Sequence, residues 1–326
     1  MTLKANRKTW TNAALTASLL LGATAAQAQW AGGPAQGVDL PGNVNIYALT
    51  SDNAIYVLKP NKPAYQRLGR VNLPDAGNLI GIDFRPADNT PTKVYGYSDV
   101  GNIYVIDVSS ANFGQTTLVS KSTPRLTAGL QSLFDFNPVL NAIRLAGSND
   151  QNIAVVNDAN GGNLTQTVAQ TPFAYAQGDV NFGKSPELVG GAYTNNNPGA
   201  VNTIFYVVDH DLDTLVTIKD KNATGSSNTG GGQLQTIGSF VDEQGNPLNM
   251  SPTTDFDIYT DPQGNNFLVG QTTRLLFSID LAQINPNLPI GQTQRVVVKR
   301  GQPAALPGST APLTGGVFDI AITARP

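Results

Sequence analysis

Beyond residue 44 the chain runs in short stretches of alternating apolar and polar residues, and a helical period is nearly absent. Alternation with period two puts successive side chains on opposite faces of a strand. Residues 45–49 (NIYAL) and 54–58 (AIYVL) flank TSDN, 93–97 and 102–108 flank SDVG, and 142–147 and 152–157 flank SNDQ. Residues 266–271 and 274–280 flank two threonines, and 204–209 and 214–218 flank HDLD. Asp, Asn and Gly adopt turn conformations that other residues resist, so each pair predicts a β-hairpin.

The hairpins resemble one another. Most are preceded by a strand with an apolar-Asp-apolar core: LIGIDFRP (79–86), SLFDFNP (132–138) and TDFDIYTDP (254–262). LVGGAYTN (188–195) aligns with the first of these but carries Ala192 where Asp83 stands. A more polar fourth strand follows each hairpin, at 116–121, 163–169, 233–239 and 293–299. The first unit has only its hairpin and the strand at 65–71. Residues 315–323 (GGVFDIAIT) supply the strand it lacks. The pattern predicts an all-β chain of about 20 strands, a β-propeller of five four-stranded blades closed by the C-terminal strand completing the N-terminal blade. Closure hides edges that an open array would expose. A sixth sheet in the long loops 170–187, 219–232 and 300–315 is the alternative.

The N-terminus does not fit this pattern. Lys4, Arg7 and Lys8 precede an apolar run over 13–26, which ends at Ala26-Gln27-Ala28. That is the form of a secretory leader cut after Ala28. The run falls short of the roughly 20 residues a spanning helix needs. The expected organisation is a signal peptide over 1–28, a Gly/Pro-rich arm over 29–44 and one propeller domain over 45–326. Its expected location is the periplasm or the cell exterior.

Removing the leader takes the basic count from 20 to 17, leaves 23 acidic residues, and moves the net charge from -3 to -6. An acidic chain without basic patches argues against nucleic acid and anionic membranes as partners. There is no cysteine, which excludes thiol catalysis, thiolate zinc sites and lipid attachment through cysteine. A domain of this size has enough core to do without disulfides.

Candidate chemistry is sparse. Asp209, Asp211, Asp213 and Asp220 have the spacing of a helix–loop–helix calcium loop, but Thr214 stands where that loop needs glycine, and the flanks read as strands. A turn is the better reading, with a weak surface cation site of Asp209, Asp211 and Asp213 as the alternative. His210, the one histidine, lies in that turn with no nucleophile motif elsewhere to serve. Gly230-Gly231-Gly232 lacks the lysine and helix of a phosphate loop. Trp30 falls in the arm, and the strand Tyr and Phe residues read as core between blades.

The repeated aspartates Asp83, Asp135, Asp257 and Asp319 are the sharpest candidate. On first strands they would line a central channel. There they could hold a hard cation such as calcium, or accept backbone hydrogen bonds and pin blade to blade. Ala192 leaves any such ring incomplete.

The chain resembles a bacterial exported family known as domain of unknown function 4394. The resemblance rests on 46–58, 79–107, 134–157, 173–181, 192–196 and 207–217, which span nearly the whole mature chain. It implies an exported, propeller-like protein and supplies no catalytic residue. The expected function is a non-catalytic binding module of the cell envelope, a monomer with an envelope or extracellular partner. The alternative is a calcium-dependent hydrolase or lactonase built on the axial aspartates.

Overall fold

A computed structural model describes residues 38–39, 41, 43–59, 65–129, 132–158, 163–222, 225–226, 231–272, 276–301 and 316–324. The chain divides into units Met1–Gln36 and Gly37–Pro326, and the description concerns the second. The leader, Trp30, Gly230 and most of 300–315 lie outside the described residues.

The alternating runs form strands. The first group is β1 (Val44–Thr50), β2 (Ala54–Leu58) and β3 (Gln66–Arg70), and the second is β4 (Leu79–Asp83), β5 (Lys93–Ser98), β6 (Asn102–Asp107) and β7 (Thr116–Lys121). Next come β8 (Ser132–Asn137), β9 (Ala142–Gly147), β10 (Asn152–Asn157) and β11 (Leu164–Ala169), then a short β12 (Ala174–Tyr175). After it come β13 (Leu188–Tyr193), β14 (Phe205–Asp209), β15 (Thr214–Ile218) and β16 (Gln233–Asp242). The last are β17 (Asp255–Thr260), β18 (Asn266–Gln271), β19 (Leu276–Ile279), β20 (Gln294–Arg300) and β21 (Val317–Ala324).

The hairpin turns owe their form to residues that accept positive φ. Asn53, Gly101, Asp150 and Asp213 take φ of 59°, 94°, 62° and 51°. Asn and Asp tolerate this region better than most side chains.

Three sheets have four strands, in the orders β21-β1-β2-β3, β4-β5-β6-β7 and β11-β10-β9-β8. The C-terminal β21 pairs antiparallel with β1, from Val44 opposite Ala324 to Leu49 opposite Asp319. The remaining strands form one nine-stranded sheet. Two antiparallel sets, β13–β16 and β17–β20, are merged because β16 runs on past its pairing with β15 and pairs in parallel with β20 over Gly238–Asp242. The sequence pattern ends this strand at 239 and misses both the merger and β12, which pairs in parallel with the start of β16.

The core lies in layers between sheets. Leu49 and Phe318 pack with Ile82 and Phe84; Tyr95 and Tyr97 pack with Phe134 and Phe136. Leu133 packs with Tyr193 and Phe205, Val189 with Phe256 and Ile258, and Ile320 with Tyr259 and Val269. First strands are therefore buried on both faces, while β7 and β11 are largely exposed, as outermost strands should be. The first strands follow one another in a closed cycle: β4 beside β8, β8 beside β13, β13 beside β17, β17 beside β21, and β21 beside β4. The architecture is all-β and propeller-like. No described helix is long and apolar enough to cross a membrane.

Candidate functional site

The apolar-Asp-apolar cores put a carboxylate on four of the five cyclically packed first strands. Asp83, Asp135, Asp257 and Asp319 are all buried, at 1–4% exposure. Such a group costs several kcal/mol unless hydrogen-bonded. Each accepts from the backbone of the next first strand. Asp319 on β21 accepts the Ile82 N–H of β4 at 2.9 Å. Asp83 on β4 accepts the Phe136 N–H of β8 at 2.8 Å, and Asp135 on β8 accepts the Tyr193 N–H of β13 at 3.0 Å. Asp257 on β17 accepts the Ile322 N–H of β21 at 2.5 Å. Asp83 and Asp257 also cap the N–H that follows them, Phe84 at 2.6 Å and Ile258 at 2.5 Å.

The step from β13 to β17 has no such donor pair, because Ala192 has no acceptor. There the bond reverses. Asp255, a second aspartate on β17, accepts from the Gly191 N–H of β13 and from the Ile320 N–H of β21 at 2.8 Å. Gly190 permits the approach, since a Cβ there would lie 2.5 Å from the Asp255 Cα. Asp255 is absent from the sequence-derived set. Its signal is the doubled aspartate of DFD at 255–257, the one first strand with two, following the one first strand with none.

Asp83, Asp135 and Asp257 each offer an oxygen within 4.8 Å of the other two, the one such convergence among the described residues. Asp319 does not join it. Burial raises the pKa of Asp83 well above the carboxylate range, with repulsion from Asp257 adding to it. Burial also raises Asp135, and the charges of Asp83 and Asp257 push the same way. Asp319 rises through burial and the neighbouring Asp255, and Asp255 rises through burial against the opposing Ile320 bond. Burial pushes Asp257 up to about 7. Three oxygens at this spacing could surround a calcium ion, whose ligand distances are about 2.3–2.6 Å.

The other candidates do not converge. The turn over 210–213 joins antiparallel β14 and β15, so the calcium-loop spacing belongs to a hairpin. Asp209 is fully buried, accepts the Tyr175 hydroxyl at 2.6 Å and caps Asp211 N and Leu212 N. Asp213 accepts Met250 N at 2.6 Å. The His210 backbone N–H donates to Glu187 O within the same rim of turns.

Among solved structures, a structural genomics protein of unknown function from Bacteroides thetaiotaomicron VPI-5482 is similar at 14% identity and a TM-score of 0.44, covering 69% of this chain and 53% of that one. An auxiliary nutrient binding protein from the same organism is similar at 14% identity and a TM-score of 0.38, covering 68% and 55%. A luciferin-regenerating enzyme is similar at 12% identity and a TM-score of 0.42, covering 78% and 73%. The chain matches about half the length of the first two. A search of curated proteins finds no match. Residues 69–287, more than half of the chain, match the family described as "Domain of unknown function (DUF4394)", and the protein belongs to that family.

Proposed function

We propose that this protein is an exported five-bladed β-propeller that acts as a non-catalytic binding module of the cell envelope, engaging its partner through loops on one rim. The carrying observation is the use made of the inner carboxylates. Each one is bonded to the backbone of a neighbouring first strand, so the group best placed for chemistry is spent on joining blades. The closed cycle of first strands and the β21–β1 pairing support the blade count. The basic start, apolar run and small-x-small motif of residues 1–28 support export to the periplasm or beyond. A rigid ring with loops at both rims suits recognition.

A second reading is favoured by the convergence of Asp83, Asp135 and Asp257: a calcium-dependent hydrolase or lactonase with the ion on the axis. Calcium titration calorimetry, with melting in the presence and absence of chelator, separates the two. No heat and an unchanged Tm support the binding module. Heat and a chelator-sensitive Tm that both vanish in Asp83→Asn and Asp135→Asn overturn it in favour of the metal site.

A further inference from the structure

The residues just ahead of β1 bond to a different sheet from the one β1 enters. The Asp39 N–H donates to Ser278 Oγ of β19 at 3.2 Å, and Lys299 Nζ of β20 lies 2.6 Å from the Asp39 carboxylate. Val38 packs on the apolar layer between the β17–β20 set and the sheet β21-β1-β2-β3. The Asn43 amide donates to the Tyr259 hydroxyl of β17 at 3.5 Å. Gly301, at the end of β20, makes room for this segment, since a Cβ there would stand 2.8 Å from Val38 Cγ1.

We propose that Val38, Asp39 and Asn43 form a strap that holds shut the seam at which the chain's two ends close the ring. What sets this seam apart is that β21 enters a sheet assembled from both ends of the described chain and is held to β1 by strand pairing. The Ile320 and Ile322 N–H groups donate to Asp255 and Asp257 and tie β21 to β17. The strap fastens the other end of the chain to the same β17–β20 set. A leader cut after Ala28 leaves the strap in place; a cut beyond Asn43 removes it. This proposal rests on the closed ring and not on what the ring binds.

Hydrogen exchange on the full chain tests it, using Asp39→Ala with Lys299→Ala as the mild variant and Gly301→Val as the one that evicts Val38. The expected result is a rise of about tenfold or more in exchange at the Ile320, Ile322 and Gly301 amides, with Phe136 and Tyr193 on the far side unchanged. A rise confined to residues 38–43 overturns the proposal, because the segment is then a passenger. An equal rise at every protected amide also overturns it, because the contacts then contribute only to global stability. The exchanged pair Asp39→Lys with Lys299→Asp should restore protection at Ile320 and Ile322.

Discussion

Asp135 shows in one side chain what the inner aspartates do. Its carboxylate satisfies the buried Tyr193 N–H and is repelled by Asp83 and Asp257. The two effects separate by substitution. Asp135→Ala orphans a buried donor, which costs about 1–3 kcal/mol. Asp135→Asn keeps an acceptor and removes the repulsion, so at neutral pH it should lose about 1 kcal/mol less than the alanine variant. Urea unfolding at pH 7 measures both. Equal losses would mean that the charge, not the hydrogen bond, is what the position requires. The sequence marks these residues by their recurrence between apolar neighbours. It does not show where the carboxyl oxygens point, because the N–H groups that donate to them belong to strands some 50 or more residues away.

Strands read well wherever both partners of a pairing are neighbours in sequence. Each hairpin lies where alternation and turn residues put it, because a turn and its flanking strands are local events. The merged sheet was not legible, because the parallel pairing of β16 with β20 joins strands separated by three others, β17, β18 and β19. The same holds for the β13–β17 contact, where the absence of an aspartate at 192 reads as a gap in a ring. In the structure Gly190, Gly191 and Asp255 fill that gap together. Gly190→Ala would drive a methyl group to 2.5 Å from the Asp255 Cα. The expected loss is about 1–3 kcal/mol, read as a lowered urea midpoint with an unchanged slope. A wild-type midpoint would show that β13 and β17 sit farther apart than described.

At the scale of the whole molecule, a ring of buried carboxylates makes stability depend on pH in an unusual direction. Asp83, Asp135, Asp255, Asp257 and Asp319 hold protons more tightly folded than unfolded. Their contribution is complete below the unfolded pKa of about 3.9 and is lost as pH rises through the folded values. For Asp257, which burial pushes up to about 7, that loss begins above about 3.9 and is complete once pH has risen past about 7. Surface turns oppose this at the acid end. The Thr50 hydroxyl lowers Asp52 and the Asn265 amide lowers Asp261, so their contributions are present above about 3.9 and are lost as pH falls through their folded values. Thermal melting should therefore give its highest Tm in mildly acidic buffer, about pH 4–6, and a lower one at pH 8. Asp257→Asn should flatten the alkaline limb. A Tm that climbs from pH 5 to pH 8 would mean that the inner carboxylates are ionised and compensated.

The sequence by itself determined the hairpin strands, their turns and the pairing of β21 with β1, because alternation, turn residues and an unfinished first unit are carried by the residues themselves. It also marked four of the five inner aspartates. Only the tertiary structure decided which backbone N–H groups those aspartates accept and which of their oxygens converge. A carboxylate between apolar neighbours can face a cation or a backbone N–H equally well in one dimension. The choice depends on how closely the next first strand approaches, and that distance is set by the packing of side chains between sheets.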